Sequence, residues 1–169
     1  GFAITNYQNY IYVVLIFSTV ILPLISIFFL IKSGKVSSLE MSNHKERSVP
    51  LFRTALWMGL GYYILENILV FSPIIKAELI GAISIILIAS IISKYWKISL
   101  HLLGIGGLVG VLIALEIIYG NLLHLIIIFI LLSGVLAMAR IKEKAHNYLQ
   151  LYVGFLAGLS VELLVMLIC

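Results

Sequence analysis

The stretch Arg140-Ile-Lys-Glu-Lys-Ala-His146-Asn-Tyr-Leu-Gln150-Leu-Tyr-Val-Gly154-Phe-Leu-Ala-Gly158-Leu-Ser-Val-Glu162 begins basic and polar and continues as an apolar run. His146, Gln150, Gly154, Gly158 and Glu162 recur every four residues, so on a helix they share one slowly drifting stripe. The stripe carries His and Gln at its water-facing end, glycines in its middle and a carboxylate at depth. Lipid gains nothing from such a face, so the pattern predicts a helix that turns it toward other helices.

The rest of the chain supplies those helices. Hydrophobic residues make up 63% of it and the mean hydropathy is +1.20, well above a soluble domain. Apolar runs recur at about the ~20 residues that cross a bilayer as a helix. The sequence therefore predicts an all-α, polytopic integral membrane bundle of six transmembrane helices, forming a single domain over residues 1–169. The expected spans are 11–31, 51–71, 77–93, 98–119, 122–139 and 147–168. Tyr7, Tyr10 and Tyr12 are expected interfacial aromatics, and Pro23 is expected to kink the first span. A polar loop, residues 32–50, ends at Pro50, which suits a first helical turn. Ser72-Pro73 breaks the second span from the third, and Gly120-Asn121 forms a tight turn. Gly1 stands where an initiator Met would, which reads as a processed or tagged chain, and the first residues lack the shape of a secretory signal peptide. The single cysteine, Cys169, excludes an intramolecular disulfide and a multi-cysteine metal site. No soluble basic domain is present to take nucleic acid as a partner, and the net charge of +4 matters less than where it lies.

Alternating the spans puts Lys32, Lys35, Lys45, Arg47, Arg53, Lys94, Lys97, Arg140, Lys142 and Lys144 on one face, against Lys76 on the other. By the positive-inside rule the basic face is cytoplasmic, and acidic loop residues such as Glu40 and Glu46 count for little. Three polar clusters share that face. Lys97 and His101 are four apart at the start of the fourth span. Arg140 and His146 flank the start of the sixth, and Glu46-Arg47-x2-Pro50 precedes the second. Arg, Lys and hydroxyl groups can hold a phosphate, and a neutral His can attack phosphorus or pass a proton. The competing reading makes the interfacial cations lipid-headgroup anchors and each His a helix-end hydrogen-bonder. Glu66, Glu116 and Glu162 are costly in lipid and are expected to face the bundle interior, hydrogen bonding ahead of ion handling. His124 is expected to be structural, and Asn43-His44 solvated. Gly106 and Gly110 in the fourth span, and Gly154 and Gly158 in the sixth, allow close backbone approach. Packed face to face, these two helices bring His101 and His146 to one pocket.

These residues resemble the type-2 phosphatidic acid phosphatase and haloperoxidase-like superfamily, of which the chain looks like a diverged bacterial member. The membrane members have six helices and three signatures: Lys-x6-Arg-Pro, Pro-Ser-Gly-His and Ser-Arg-x5-His-x3-Asp. Ser99-Leu-His101 is similar to the second, and Arg140-x5-His146 to the third. The resemblance is strongest over residues 94–162, with site segments 94–101 and 140–150. It implies a membrane lipid phosphate or lipid pyrophosphate phosphatase that acts through a phosphohistidine, without a cofactor or metal. It implies His146 as nucleophile, His101 as the acid for the leaving oxygen, and Arg140 and Ser99 as phosphate ligands. The substrate would be a phospholipid or polyprenyl phosphate drawn from the bilayer, and a homo-oligomer is compatible with this. By analogy the site would face the periplasm across a bacterial inner membrane, opposite to the charge argument. Gln150 stands at the position of the Asp that orients the nucleophile, Leu100 and Ile98 replace the Gly and Pro of the second signature, and Ala139 replaces the Ser of the third. The first signature is absent before the fourth span, and Lys97 or Arg47 would have to replace its cations in space. Two other functions fit the residues: a catalytically inactive relative that binds anionic lipid headgroups or a membrane partner, and a small transporter using Glu66, Glu116 and Glu162.

Overall fold

The computed structural model describes residues 2–39, 41, 43–69 and 72–169. Gly1, Glu40 and the expected helix end at Phe71 lie outside them, as does the side chain of Tyr7. The described chain is helical: α1 (Phe2–Ile16), α2 (Leu22–Lys32), α3 (Ser48–Leu69), α4 (Pro73–Ile92), α5 (Leu100–Tyr119), α6 (Leu123–Lys142) and α7 (Tyr148–Ile168).

The first expected span is not one uniform helix. A π-helical turn, Phe17–Ile21, joins α1 to α2 immediately before Pro23. Proline has no N–H and its ring crowds the carbonyl four residues back, so a wider turn relieves the clash. The carbonyls in this region find other donors: Ser18 Oγ bonds Val14 O at 2.8 Å and Thr19 Oγ1 bonds Leu15 O at 2.7 Å. Helix α4 begins at Pro73, four residues earlier than expected, because proline at the first helical position needs no partner for its nitrogen. Helix α6 runs on to Lys142, three residues past the expected end, which places Arg140 in its last turn.

Five segments are long and apolar enough to cross a membrane: Gln8–Lys32, Pro73–Ile92, Leu100–Tyr119, Leu123–Lys142 and Tyr148–Ile168. The remaining expected span, α3, has the length, at 22 residues, but not the apolarity. Arg53, Glu66, Asn67 and its glycines lower it. Glu66 is exposed, contrary to expectation, because Leu65 takes the fully buried position beside it. Glu116 is half-buried and accepts the backbone N–H of Leu122, closing the α5–α6 turn. Glu162 is buried, as its stripe implies.

Helix α3 packs between α2 and α4, α4 against α7, α7 against α5, and α5 against α6. The α5–α7 interface is the most extensive. Its register follows from the glycines. A Cβ on Gly158 would overlap the carbonyl of Leu103, and one on Gly106 the carbonyl of Phe155. A Cβ on Gly110 would sit 2.6 Å from the carbonyl of Leu159. Partner numbers rise together along both helices, so α5 and α7 run parallel, with their first turns at the same membrane face. Ile85, Ala89, Ile98 and Leu103 form the apolar cluster beneath those turns.

Candidate functional site

Three helix ends assemble the site. Ser99 caps α5, its hydroxyl accepting the Leu102 N–H at 3.5 Å, and this puts His101 in the first turn. Asn147 caps α7 through a reciprocal capping box: its Oδ1 accepts the Gln150 N–H at 2.9 Å, and Gln150 Oε1 accepts the Asn147 N–H at 3.3 Å. The two caps are tied together, because the Ser99 N–H donates to the Gln150 carbonyl at 3.3 Å. One turn below, a Cβ on Gly154 would sit 2.8 Å from the Ser99 carbonyl, so only glycine lets the two helix starts approach this closely.

The chain reaches His146 by a tight reversal after α6. The Lys144 N–H bonds Ile141 O at 2.9 Å and the Ala145 N–H bonds Arg140 O at 3.1 Å, the paired pattern that ends helices with a left-handed residue. Glycine usually holds that place, yet here it is Lys144, with φ at 54°. A non-glycine residue there carries a strain of about 1 kcal/mol. The strained lysine, Arg140 and His146 all line one cavity.

That cavity measures about 760 Å³ and is walled by α2, α3, α5, the end of α6 and the loops beside them. Arg47, Lys97, His101, Arg140 and His146, all singled out by spacing, meet in it. Lys144 and Glu143 join them. Ile27, Leu39, Leu51 and Leu100 give it an apolar side. A volume of this order takes a small organic ligand or a headgroup with part of its chain.

The Nδ1–H of His146 donates to Gln150 Oε1 at 2.9 Å. This leaves Nε2 with its lone pair. His146 is 8% exposed, and burial, followed by the charges of Lys97, Arg47 and Arg140, holds its pKa below the ordinary 6.5. The Gln150 hydrogen bond opposes this shift in part. The balance favours the neutral, nucleophilic ring at neutral pH. Arg47 is buried, and burial and the Arg140 charge lower its pKa, but a guanidinium stays charged. Its Nε donates to the Met41 carbonyl at 2.9 Å, and the side chain lines the cavity. Arg140 pairs with Glu143 at 2.7 Å through Nη1, while among the described residues its Nε is buried without a partner. A buried guanidinium N–H without an acceptor is costly, and an anion oxygen in the cavity would satisfy it.

One site residue differs from expectation. Ser99 does not line the cavity; it is fully buried and its hydroxyl is used by the α5 cap. Gln150 lies behind His146, bonded to its ring, at the place expected of the residue that orients it. Glu143 and Lys144 were missed, although the three-residue spacing of Arg140 and Glu143 on a helix end was a readable ion-pair signal. His44 is not simply solvated: half-buried, it donates through Nδ1 to the Ser93 carbonyl at 2.7 Å and pins the 32–50 loop to the end of α4. His124 is exposed at the opposite face, remote from the cavity. Comparisons with protein-family models, curated proteins and solved structures found no match to the chain.

Proposed function

We propose that the protein is a six-span membrane lipid phosphate or lipid pyrophosphate phosphatase that works through a phosphohistidine on His146. The observation that carries this reading is the unpartnered, buried Arg140 Nε in a cavity shared with Arg47, Lys97 and two imidazoles. In this mechanism the fixed cations hold the phosphate oxygens and offset the charge that builds on them. His146 Nε2 attacks phosphorus while His101 gives a proton to the departing lipid oxygen. The P–O bond breaks as the N–P bond forms. His101 then takes a proton from water, which attacks the phosphohistidine and releases inorganic phosphate. The apolar wall formed by Ile27, Leu39, Leu51 and Leu100 favours a substrate with an alkyl or isoprenoid chain. In the six-span reading α3 crosses with the other five, its Arg53 and Glu66 near its two ends.

Gln150 favours a second reading, a catalytically inactive relative that holds anionic headgroups. A neutral amide orients His146 but cannot offset an imidazolium, and the place it fills is that of a carboxylate in the resembled family. Phosphate release from phosphatidate, phosphatidylglycerophosphate and polyprenyl pyrophosphate by the purified protein separates the two. Turnover of any of them supports the phosphatase. Saturable headgroup binding without turnover across the panel supports the binder.

A further inference from the structure

The stripe that carries His146 ends at Glu162, some four helical turns away, near the opposite membrane face. Glu162 is 3% exposed, and among the described residues its buried Oε1 has no hydrogen-bond partner. Its carboxyl group occupies a slot made by missing side chains. On α4, a Cβ at Gly81 would lie 2.5 to 2.6 Å from all three carboxyl atoms, and on α5 a Cβ at Gly110 would lie 3.2 Å from Glu162 Cβ. Two helices thus leave out a methyl group where this carboxyl sits.

Among the described residues Glu162 has no ion pair, and α5 presents glycine and Ala114 on this side. The charged group that acts on it is a like one, Glu78 on α4, one turn before Gly81. Glu78 is exposed, and it lies five residues from the start of α4, or ~7.5 Å along the axis. Glu162 lies six residues from the end of α7, ~9 Å in. An anion at that depth with a like-charged neighbour is unfavourable, whereas a carboxylic acid is tolerated. Glu116, by contrast, puts its carboxylate to structural use, accepting the Leu122 N–H to close its turn.

We infer that Glu162 is an intramembrane proton-binding site. It takes a proton to become a neutral acid and returns it by way of Glu78 to the face opposite the cationic cavity. The ligand is the proton, and the inference is independent of any phosphatase reading.

A hydrophobic carbodiimide tests it, because the reagent adds to protonated carboxyls in apolar surroundings and rearranges to a stable N-acylurea. The purified protein in lipid vesicles is treated with dicyclohexylcarbodiimide at pH 6 and pH 9, and the peptides are mapped by mass spectrometry. The expected result is an adduct on Glu162 at pH 6, at least fivefold weaker at pH 9, absent for a water-soluble carbodiimide, and reduced in Gly81→Ala, whose methyl group displaces the carboxyl. No adduct on Glu162, or equal yield at both pH values, overturns the inference. Protection by sodium ions at constant pH also overturns it, since the slot would then be a metal-cation site. The wild-type measurement stands even if the variant does not fold.

Discussion

Gln150 Oε1 sits 2.9 Å from His146 Nδ1 and also receives the Asn147 N–H, so one amide oxygen both starts helix α7 and sets the tautomer of the ring above it. An amide can do both jobs but cannot stabilise positive charge on the imidazole. Gln150→Asp should therefore raise turnover. In the serine-protease triad, a standard worked case, the reverse change from Asp to Asn costs about 10⁴ in rate. A gain of roughly tenfold or more in kcat is expected here, because a carboxylate supplies the negative charge that the amide lacks. The shorter side chain weakens the capping box, so a thermal melt should show a loss of about 1 kcal/mol alongside the gain.

The acid limb of the pH–rate profile should lie below the ordinary histidine value of 6.5, because burial and three nearby cations disfavour the protonated ring. The sign is fixed by the mechanism. The nucleophile is the neutral form, so on the acid side activity falls as pH drops through the lowered pKa, while loss of the His101 proton sets a separate alkaline limb. The Gln150 hydrogen bond works in the opposite direction, so Gln150→Ala should move the limb further toward acid. Profiles of kcat/KM from pH 4.5 to 8 measure both shifts.

Gly158 and Gly134 offer a contrast within one membrane protein. A methyl group on Gly158 would overlap the Leu103 carbonyl and force α5 from α7, whereas around Gly134 nothing lies within 4 Å. Gly158→Ala should cost about 1–3 kcal/mol and reduce phosphate release, since the same interface aligns His101 with His146. Gly134→Ala should leave activity unchanged and stabilise by roughly 0.5–1 kcal/mol. Thermal unfolding in detergent and the hydrolysis assay read the two effects separately.

Much of this was legible in the sequence because it was written in fourfold spacing. The repeat from His146 to Glu162 and the glycine pairs on α5 and α7 specify a close parallel contact, and that contact alone brings two helix starts and their polar residues together. The role of Ser99 was less legible. A Ser before a helix is equally a ligand or a cap, and only the local backbone decides that the cap wins. Arg47 reaches the cavity from a loop distant in sequence, which no periodicity encodes. The span count was blurred at α3, where Arg53 and Glu66 sit in a helix of full length. The side of Glu66 that faces outward is set by Leu65 packing, not by the cost of the charge.

Cys169 tests sidedness, on which charge placement and family resemblance disagree. Helix α7 starts at the cavity face and ends at Ile168, so the exposed thiol lies across the membrane from His146. By the positive-inside rule the basic loops predict a cavity on the cytoplasmic side. A membrane-impermeant maleimide should then label Cys169 in intact spheroplasts. Labelling that requires opening the membrane would put the cavity on the outer face.

The central claim is that His146 becomes covalently phosphorylated. Brief incubation with ³²P-labelled lipid phosphate, alkaline quench and peptide mapping measures this directly. The expected result is an acid-labile, alkali-stable phosphoryl group on His146, lost in His146→Ala and longer-lived in His101→Ala, where the proton acceptor for hydrolysis is missing. Full phosphate release by His146→Ala, with no label on the ring in the wild type, would contradict it.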